Sequence, residues 1–181
     1  MGFPPKWCKW VMGILESARA SVLVNGAPTF EFKCNKGLRQ GDPISPFLFI
    51  VAMEALSSML RKGCDSGVLD GIELPNNGLR ISHLFYADDA LIIGKWSRTN
   101  IMNVVRILRC FFVCSRLKIN IGKSNLYGAR VTSLEVVEVA EAVGCLADSL
   151  PFKYLGLTVG ANMNRICNWR PVYDLFKKRF S

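Results

Sequence analysis

The stretch FYADDALII, residues 85–93, places two adjacent acids, Asp88 and Asp89, between apolar runs. The longer segment ISHLFYADDALIIG predicts a strand, a tight turn and a second strand, so both acids lie at the tip of a β-hairpin. Adjacent carboxylates repel each other, and burial would protonate one of them. A divalent cation favours the ionised form of both. Mg²⁺ suits such oxygen ligands and is often shared with substrate phosphates.

An ordinary solvated turn is the alternative interpretation of this pair. Asp-Asp is common in β-turns, because aspartate suits turn geometry and water solvates its charge. A pair of carboxylates is also an incomplete two-metal site, since phosphoryl-transfer centres of that kind need a further acid from a neighbouring element. The pair alone therefore leaves a metal site and a solvated turn both open.

The segment GLRQGDPISP, residues 37–46, predicts a loop that leads into a helix. Its glycines, among them Gly41, let the backbone approach a ligand closely. Arg39 offers a planar fork for phosphate, and Gln40 can hydrogen-bond a base edge or a sugar. The following helix, capped by Ser45, presents backbone N–H groups that favour anions. A nucleotide- or template-binding loop and a plain glycine- and proline-rich turn both fit this pattern.

Apolar periodicity elsewhere predicts helices that alternate with hairpins. The Asn25-Gly26 pair is a strong turn signal for one of the hairpins. Mixed helices and antiparallel hairpins indicate an α+β class. The helices are expected at 5–19, 45–62, 99–114, 134–143 and from 168 onwards, and the hairpins at 21–34, 81–94 and 150–160.

The composition indicates a polyanionic partner. The chain has 181 residues and a formal net charge of +9, which suits nucleic acid or an anionic surface, although excess Lys and Arg can serve solubility alone. Its seven cysteines form no CxxC pair and it has one histidine, so zinc is disfavoured. Cys110 and Cys114 are expected to share a helix face in the core. No signal peptide or membrane-length apolar run is present, so we expect an intracellular, nuclear or cytoplasmic protein.

Three segments in one order identify a family. GLRQGDPISPFLF, FYADD and LPFKYLGL together resemble the reverse transcriptases of non-LTR, LINE-type retrotransposons, particularly those of plants. SARASVLVNG, AMEALSSML and LKINIGKS are also similar to that family, so the resemblance covers essentially the whole chain. It implies a polymerase palm, an antiparallel sheet with packed helices, together with part of the fingers.

The resemblance assigns roles to particular residues. Asp88 would be a direct ligand of catalytic Mg²⁺, with Mn²⁺ as the other possible ion, and Asp89 a weaker or secondary ligand. Tyr86 would lie near the primer terminus and the incoming nucleotide. Arg39, Gln40 and Gly41 would line the nascent base pair.

Two further assignments come from the same resemblance. Lys123 matches a lysine proposed to protonate the pyrophosphate leaving group, although a solvated surface lysine fits the position equally well. The primer grip that steadies the 3′ end would be formed by Phe152, Lys153, Tyr154, Leu155 and Gly156.

The implied reaction is phosphoryl transfer. A primer 3′-hydroxyl attacks the α-phosphate of a deoxynucleoside triphosphate, with an RNA template and a DNA primer as partners and no membrane involved. The resemblance treats the chain as one partial reverse transcriptase domain. Residues 1–62 would hold the fingers and palm helix with the template-lining loop, 63–130 the palm with the FYADD hairpin, and 131–181 the end of the palm, the primer grip and the start of the thumb connection.

The sequence departs from the family pattern at several points, including the missing upstream aspartate, Arg116, and Thr158 where proline is usual. The family carries its first catalytic aspartate in a strand upstream of the segment resembling GFPPKWCKWVMGIL, whereas the first acid here is Glu16. We therefore expect a domain truncated at both ends. Arg116 stands where glycine is usual, and arginine would strain a left-handed helix end by about 1 kcal/mol. A nucleic-acid-binding remnant without catalysis and a reading frame without a stable product remain alternatives to an active polymerase.

Overall fold

The computed structural model describes residues 2–34, 41–75 and 78–180, which divide into two units. The first unit comprises residues 1–95 and 103–119, and the second comprises 96–102 and 120–181. The first unit contains α1 (Pro5–Glu16), β1 (Arg19–Ala20), β2 (Leu23–Val24), β3 (Ala27–Pro28), β4 (Phe32–Lys33), α2 (Ser45–Asp65), β5 (Ile72–Glu73), β6 (Arg80–Ile81), β7 (His83–Tyr86), β8 (Asp89–Ile92) and most of α3 (Arg98–Ser115). The second contains β9 (Asn125–Tyr127), α4 (Ser133–Val143), β10 (Leu146–Asp148), β11 (Phe152–Tyr154), β12 (Leu157–Val159) and α5 (Arg170–Phe180).

Helices α2 and α3 carry the core of the first unit. Leu56 and Leu60 of α2 are completely buried, and Leu108 and Phe111 of α3 belong to the same apolar cluster. A Cβ placed at the buried Gly63 would lie 3.0 Å from Ile107 Cδ1, so glycine is the residue that lets α3 approach α2 closely at this point. Burial of each large apolar side chain contributes roughly 1.5–3 kcal/mol, which makes this cluster the main source of stability in the unit.

Short antiparallel hairpins occupy much of the rest of the first unit. β2 pairs with β3 around the turn at Asn25 (φ 51°) and Gly26 (φ 82°), the positive backbone angles of a type I′ turn. β1 pairs with β4, β5 with β6, and β7 with β8. The Asn25-Gly26 signal therefore predicted its hairpin correctly.

The second unit is built around α4. Its strands β9 and β10 pair in parallel, and α4 connects them as a crossover helix. Thr132 caps α4 by accepting a hydrogen bond from the Glu135 amide, and Gly144 ends the helix at φ 83°. Val136 is buried, and a Cβ at Gly128 would lie 2.6 Å from its Cγ2 atom, which requires glycine there. β11 and β12 form a separate antiparallel hairpin.

These elements confirm the α+β class and most of the predicted helices and hairpins. Two details of the sequence interpretation were wrong. Ser45 is the first residue of α2, whose N-cap is Ile44, and the Asp42 side chain accepts from the Ile44 amide instead. A 3₁₀ turn at Ile121–Lys123 precedes β9 in the second unit.

The expected burial of the cysteines is the second correction. Cys110 and Cys114 do share one side of α3, but both thiols are exposed to solvent, because the buried face of that helix is formed by Val105, Leu108 and Phe111. The expected left-handed conformation at Arg116 is confirmed, since α3 ends at Ser115 and Arg116 has φ 61°. No helix of the described residues is long and apolar enough to cross a membrane.

Candidate active site

The FYADD segment forms a hairpin with a two-residue turn. β7 pairs antiparallel with β8, and Tyr86 lies opposite Asp89 as the closing pair. Ala87 and Asp88 form the turn, and Ala87 has φ 50°, the positive angle that primed hairpin turns require at their first central position. The tip of the hairpin therefore carries both acids, as the sequence predicted.

The two faces of this hairpin differ in their surroundings. Phe85 and Ile92 pack against the core cluster of α2 and α3. Tyr86, whose side chain is 62% exposed, lies on the opposite face with Leu84, because side chains alternate along a strand. Asp88 and Asp89 are both exposed. The inner face therefore anchors the hairpin while the outer face and the tip are open to a ligand.

A polar contact supplements this apolar anchor. His83 Nε2 lies 2.8 Å from Ser57 Oγ of α2, and His83 Nδ1 lies 2.8 Å from Ser82 Oγ. Burial lowers the pKa of His83. The Arg61 cation lowers it further, against an opposing contribution from Glu54. The imidazole is therefore neutral at physiological pH, and each of its nitrogens has a serine partner.

The donor set at the tip fits a hard cation in its chemistry. Two neighbouring carboxylates supply the oxygen ligands that Mg²⁺ prefers, and Mg²⁺ usually keeps several waters or substrate phosphate oxygens in its shell. Within the described residues, no three side chains of His, Cys, Asp or Glu lie together in a group that could hold a metal. Asp88 and Asp89 would therefore provide only part of a metal shell.

Part of the predicted template-binding loop is described. Gly41 is exposed with φ 85°, and a Cβ there would meet nothing within 4 Å, so its backbone angle and not crowding favours glycine. Arg39 and Gln40 lie outside the described residues. The loop leads into α2 as the sequence predicted.

The remaining predicted site residues belong to the second unit. Lys123 ends the 3₁₀ turn at Ile121–Lys123 and is exposed. Phe152 stacks on Tyr127 with ring centroids 4.0 Å apart, and Lys153 is exposed beside it. The Tyr154 hydroxyl is buried and has no hydrogen-bond partner in the described part of the chain.

The turn of this second hairpin consists of Leu155 (φ 51°) and Gly156 (φ 83°), which match a type I′ turn. Tyr154 and Leu157 form the closing pair. The predicted hairpin in LPFKYLGLTVG is thus confirmed, whereas its role as a primer grip stays a prediction.

Sequence reasoning missed the His83–Ser57 contact. The two residues are 26 positions apart, so no local spacing brings them together. The signal that was available is the polar residue His83 at an inward position of β7, two residues before the buried-side Phe85. A polar side chain on the core-facing register of a strand requires a partner.

These features define an α+β domain whose open hairpin tip carries paired carboxylates, on a chain with an excess of basic residues. The family described as reverse transcriptase (RNA-dependent DNA polymerase) matches residues 1–159, and the chain belongs to this family. The match includes the loop before α2, the FYADD hairpin and the second hairpin.

Two curated relatives are similar to the chain. An uncharacterized mitochondrial protein of Arabidopsis thaliana is 41% identical over 109 residues, which are 58% of this chain and 85% of that protein. An uncharacterized 149 kDa protein of transposon TX1 from Xenopus laevis is 28% identical over 163 residues, which are 88% of this chain but 12% of the transposon protein.

Proposed function

We propose that this chain is the RNA-directed DNA polymerase domain of a LINE-type retroelement. The observation that carries the proposal is the family match over residues 1–159 together with the exposed carboxylate pair at the tip of the FYADD hairpin. The similarity to a transposon protein supports an origin in a mobile element. An RNA template, a DNA primer and deoxynucleoside triphosphates would be the substrates.

Asp88 and Asp89 would hold Mg²⁺, or Mn²⁺ in its place. The bound metal would supply activation of the primer 3′-hydroxyl and neutralisation of charge on the departing pyrophosphate. The chain itself contributes the placement of these acids. A short turn on paired strands restricts the carboxylates more than a loop would, because β7 and β8 fix the backbone on both sides.

The outer face of the hairpin provides a stacking surface beside the acids. Tyr86 lies directly across from Asp89, so its ring and that carboxylate lie on the same face. An exposed tyrosine directly across the hairpin from an acid suits contact with a sugar or a base, since aromatic rings stack on bases of any sequence. Gly41 would let the loop before α2 approach the template. Arg39 and Gln40, which precede Gly41 in the sequence, would line the nascent base pair with it.

The second unit would hold the primer. In the hairpin β11–β12, the ring stack of Phe152 on Tyr127 fixes one strand, and Lys153 offers a cation to the primer phosphates. Lys123 would donate a proton to the leaving pyrophosphate.

A nucleic-acid-binding domain without catalysis is the second candidate. It is favoured by one observation, namely that the described residues bring no third acid to the carboxylate pair. The net charge of +9 would still support binding to an RNA–DNA hybrid. Such binding would need no Mg²⁺ and would weaken steeply as salt concentration rises.

Primer extension on a poly(rA)–oligo(dT) hybrid with Mg²⁺ tests the proposal. The chain is assayed beside its Asp88→Ala variant and a matched control, Asp65→Ala, which removes an exposed acid at the end of α2 in the same unit. We expect extension by the wild type and by Asp65→Ala, and loss of extension in Asp88→Ala.

Three other outcomes would contradict this proposal. Extension that persists in Asp88→Ala would show that Asp88 is not required for the reaction. No extension by folded wild-type protein, with hybrid binding that is independent of Mg²⁺ and sensitive to salt, would establish the second candidate. Rapid proteolysis and a molten circular dichroism spectrum would indicate that the isolated chain has no stable fold.

A further inference from the structure

The imidazole of His83 connects two elements of the first unit. It belongs to β7, five residues before Asp88, and its Nε2 atom lies 2.8 Å from Ser57 Oγ on α2. Its Nδ1 atom lies 2.8 Å from Oγ of Ser82, the residue directly before the strand. Because both nitrogens have partners, the ring cannot rotate or slide without breaking a hydrogen bond.

Apolar contacts also hold the hairpin on the helices. Phe85 and Ile92 pack against the cluster that contains Leu56 and Leu60. Apolar burial is non-directional and tolerates small shifts, whereas a hydrogen bond has narrow limits of distance and angle. The His83–Ser57 contact therefore sets the position of β7 along α2 more narrowly than the apolar contacts do.

We propose that His83 is a positioning residue that fixes the Asp88–Asp89 turn on helix α2 through Ser57. The proposal rests on the function assigned to the two aspartates above. A shift of β7 along α2 moves the turn by the same amount, because the turn begins at Ala87, directly after the continuous strand that His83 starts. An error of about 1 Å in the placement of a catalytic group lowers the rate by roughly 10²-fold.

The charge state of the ring matters for this role. A neutral imidazole has one donor and one acceptor, and a serine hydroxyl can complement either, so both contacts are satisfied. The charged groups that act on the ring are Arg61 and Glu54, both on α2 and joined to each other as an ion pair. Burial and Arg61 disfavour the imidazolium. Acid conditions should therefore weaken the connection between the hairpin and the helix.

Hydrogen exchange of the backbone amides of β7 and β8, measured by NMR on the full chain, tests the proposal. Ser57→Ala and His83→Ala remove the contact. Ser57→Thr keeps a hydroxyl, and Ser58→Ala is the matched control at the neighbouring position of α2. Exchange of the α4 amides, in the second unit, serves as an internal reference for global stability.

We expect the β7 and β8 amides to exchange about five- to tenfold faster in Ser57→Ala and His83→Ala, the effect of losing one hydrogen bond. Ser57→Thr and Ser58→Ala should match the wild type. After correction for intrinsic exchange, the wild-type rates should rise as pH falls through the titration of His83. This pH dependence should be absent in His83→Gln.

Unchanged exchange in Ser57→Ala and His83→Ala would overturn the proposal, as would an equal acceleration in Ser58→Ala. A wild-type pH dependence that persists in His83→Gln would also overturn it. Where primer extension is measurable, His83→Gln should lower kcat, leave KM for the nucleotide unchanged and remove the acid limb of the pH–rate profile. If the chain is not a polymerase, extension is absent in every variant while the exchange results still decide the role of His83.

Discussion

The hairpins β7–β8 and β11–β12 both have two-residue turns and differ in the residues that those turns present. The first turn has its positive φ at Ala87, whereas the second has positive φ at both Leu155 and Gly156. Each has a two-residue turn preceded by a tyrosine, and each places a non-glycine residue with positive φ first in the turn, Ala87 at 50° and Leu155 at 51°. In the first hairpin the tyrosine is 62% exposed, the turn carries Asp88, and Asp89 directly follows the turn. In the second, the Tyr154 hydroxyl is buried and the turn is apolar.

Under the proposed function, the first hairpin would hold the groups that take part in the reaction, and the second would support the substrate. The first hairpin buries only its inner face and leaves acids at an open tip, the arrangement that a phosphoryl-transfer site needs. The second uses its aromatic residues in packing, with Phe152 stacked on Tyr127, and offers Lys153 to solvent. We therefore expect variants of the first turn to change the rate of reaction, and variants of the second to change stability or binding.

The largest expected effect separates the two turns by activity. Asp88→Asn should lower kcat for primer extension by roughly 10²–10³-fold, the cost of losing one electrostatic contribution in a transition state. Leu155→Ala, at the tip of the other hairpin, should leave kcat within about threefold, since no charge is lost there. Steady-state kinetics of both variants, with circular dichroism to confirm folding, provide the measurement. Equal losses in both variants would contradict the division of roles.

The second effect concerns the support of the first hairpin. Leu60→Ala should lower the free energy of unfolding by about 2–5 kcal/mol, because Leu60 is completely buried in the cluster that Phe85 joins. Leu134→Ala is a matched control, because Leu134 of α4 is 76% exposed. This variant should change the free energy of unfolding by less than about 0.5 kcal/mol. Urea unfolding followed by circular dichroism gives both values. A small effect of Leu60→Ala would show that this core is loosely packed.

The third effect compares the two tyrosines. Tyr154→Phe should leave stability unchanged or raise it by about 1 kcal/mol, because it removes a buried hydroxyl that has no partner within the described residues. Tyr86→Phe should have no measurable effect on stability, since water solvates the exposed hydroxyl. A loss of more than about 1 kcal/mol in Tyr154→Phe would indicate that its hydroxyl is hydrogen-bonded in solution.

The fourth effect tests the strain in the turns. Leu155→Asn should stabilise the second unit by about 0.5–1 kcal/mol, because Asn tolerates a positive φ and Asn-Gly is the preferred type I′ pair. Ala87→Gly should change the stability of the first unit by a smaller amount. Glycine relieves the strain of the positive φ, but it also increases the conformational entropy of the unfolded chain. Thermal unfolding of each variant decides between these expectations. A destabilised Leu155→Asn would mean that the leucine side chain contributes packing that outweighs the strain.

The smallest expected effect is a pH dependence of stability. The pKa of His83 is lowered in the folded state from its ordinary value of 6.5, so the unfolded chain binds more protons near that pH. The contribution of His83 is therefore complete above pH 6.5 and is lost as pH falls through 6.5 towards the lower folded value. Unfolding curves between about pH 5 and pH 8, the range in which histidine titrates, should show this decrease in the wild type and a weaker one in His83→Gln.

Local signals in the sequence were sufficient for most elements of the fold. Asn25-Gly26, the apolar runs on both sides of the Asp88–Asp89 pair and the apolar spacing of α2 and α3 each act over a few residues, and each predicted its element. The parallel pairing of β10 with β9 was not predicted. This pairing joins residues about 20 positions apart, such as Leu146 and Asn125. The sequence of a three-residue strand does not indicate which strand it pairs with. Exposure of Cys110 was missed because a cysteine is apolar enough for either face of a helix.

The candidate site was only partly predictable for the same reason. The turn that carries Asp88 and Asp89 is a local structure, so its residues were identified directly. The contact between His83 and Ser57 depends on how β7 packs on α2, which spacing along the chain does not encode. The roles of Lys123 and of residues 152–156 came from resemblance alone and stay predictions.

The exposed thiols of α3 have a practical consequence. Cys110 and Cys114 lie one helical turn apart on the same side of α3, and both are free and accessible. A two-armed thiol reagent can bridge such a pair and attach a spectroscopic probe that cannot swivel on a single linker. Since α3 contributes Leu108 and Phe111 to the cluster beneath the aspartate hairpin, a rigid label there would report the orientation of the helix that supports the tip without altering the tip itself.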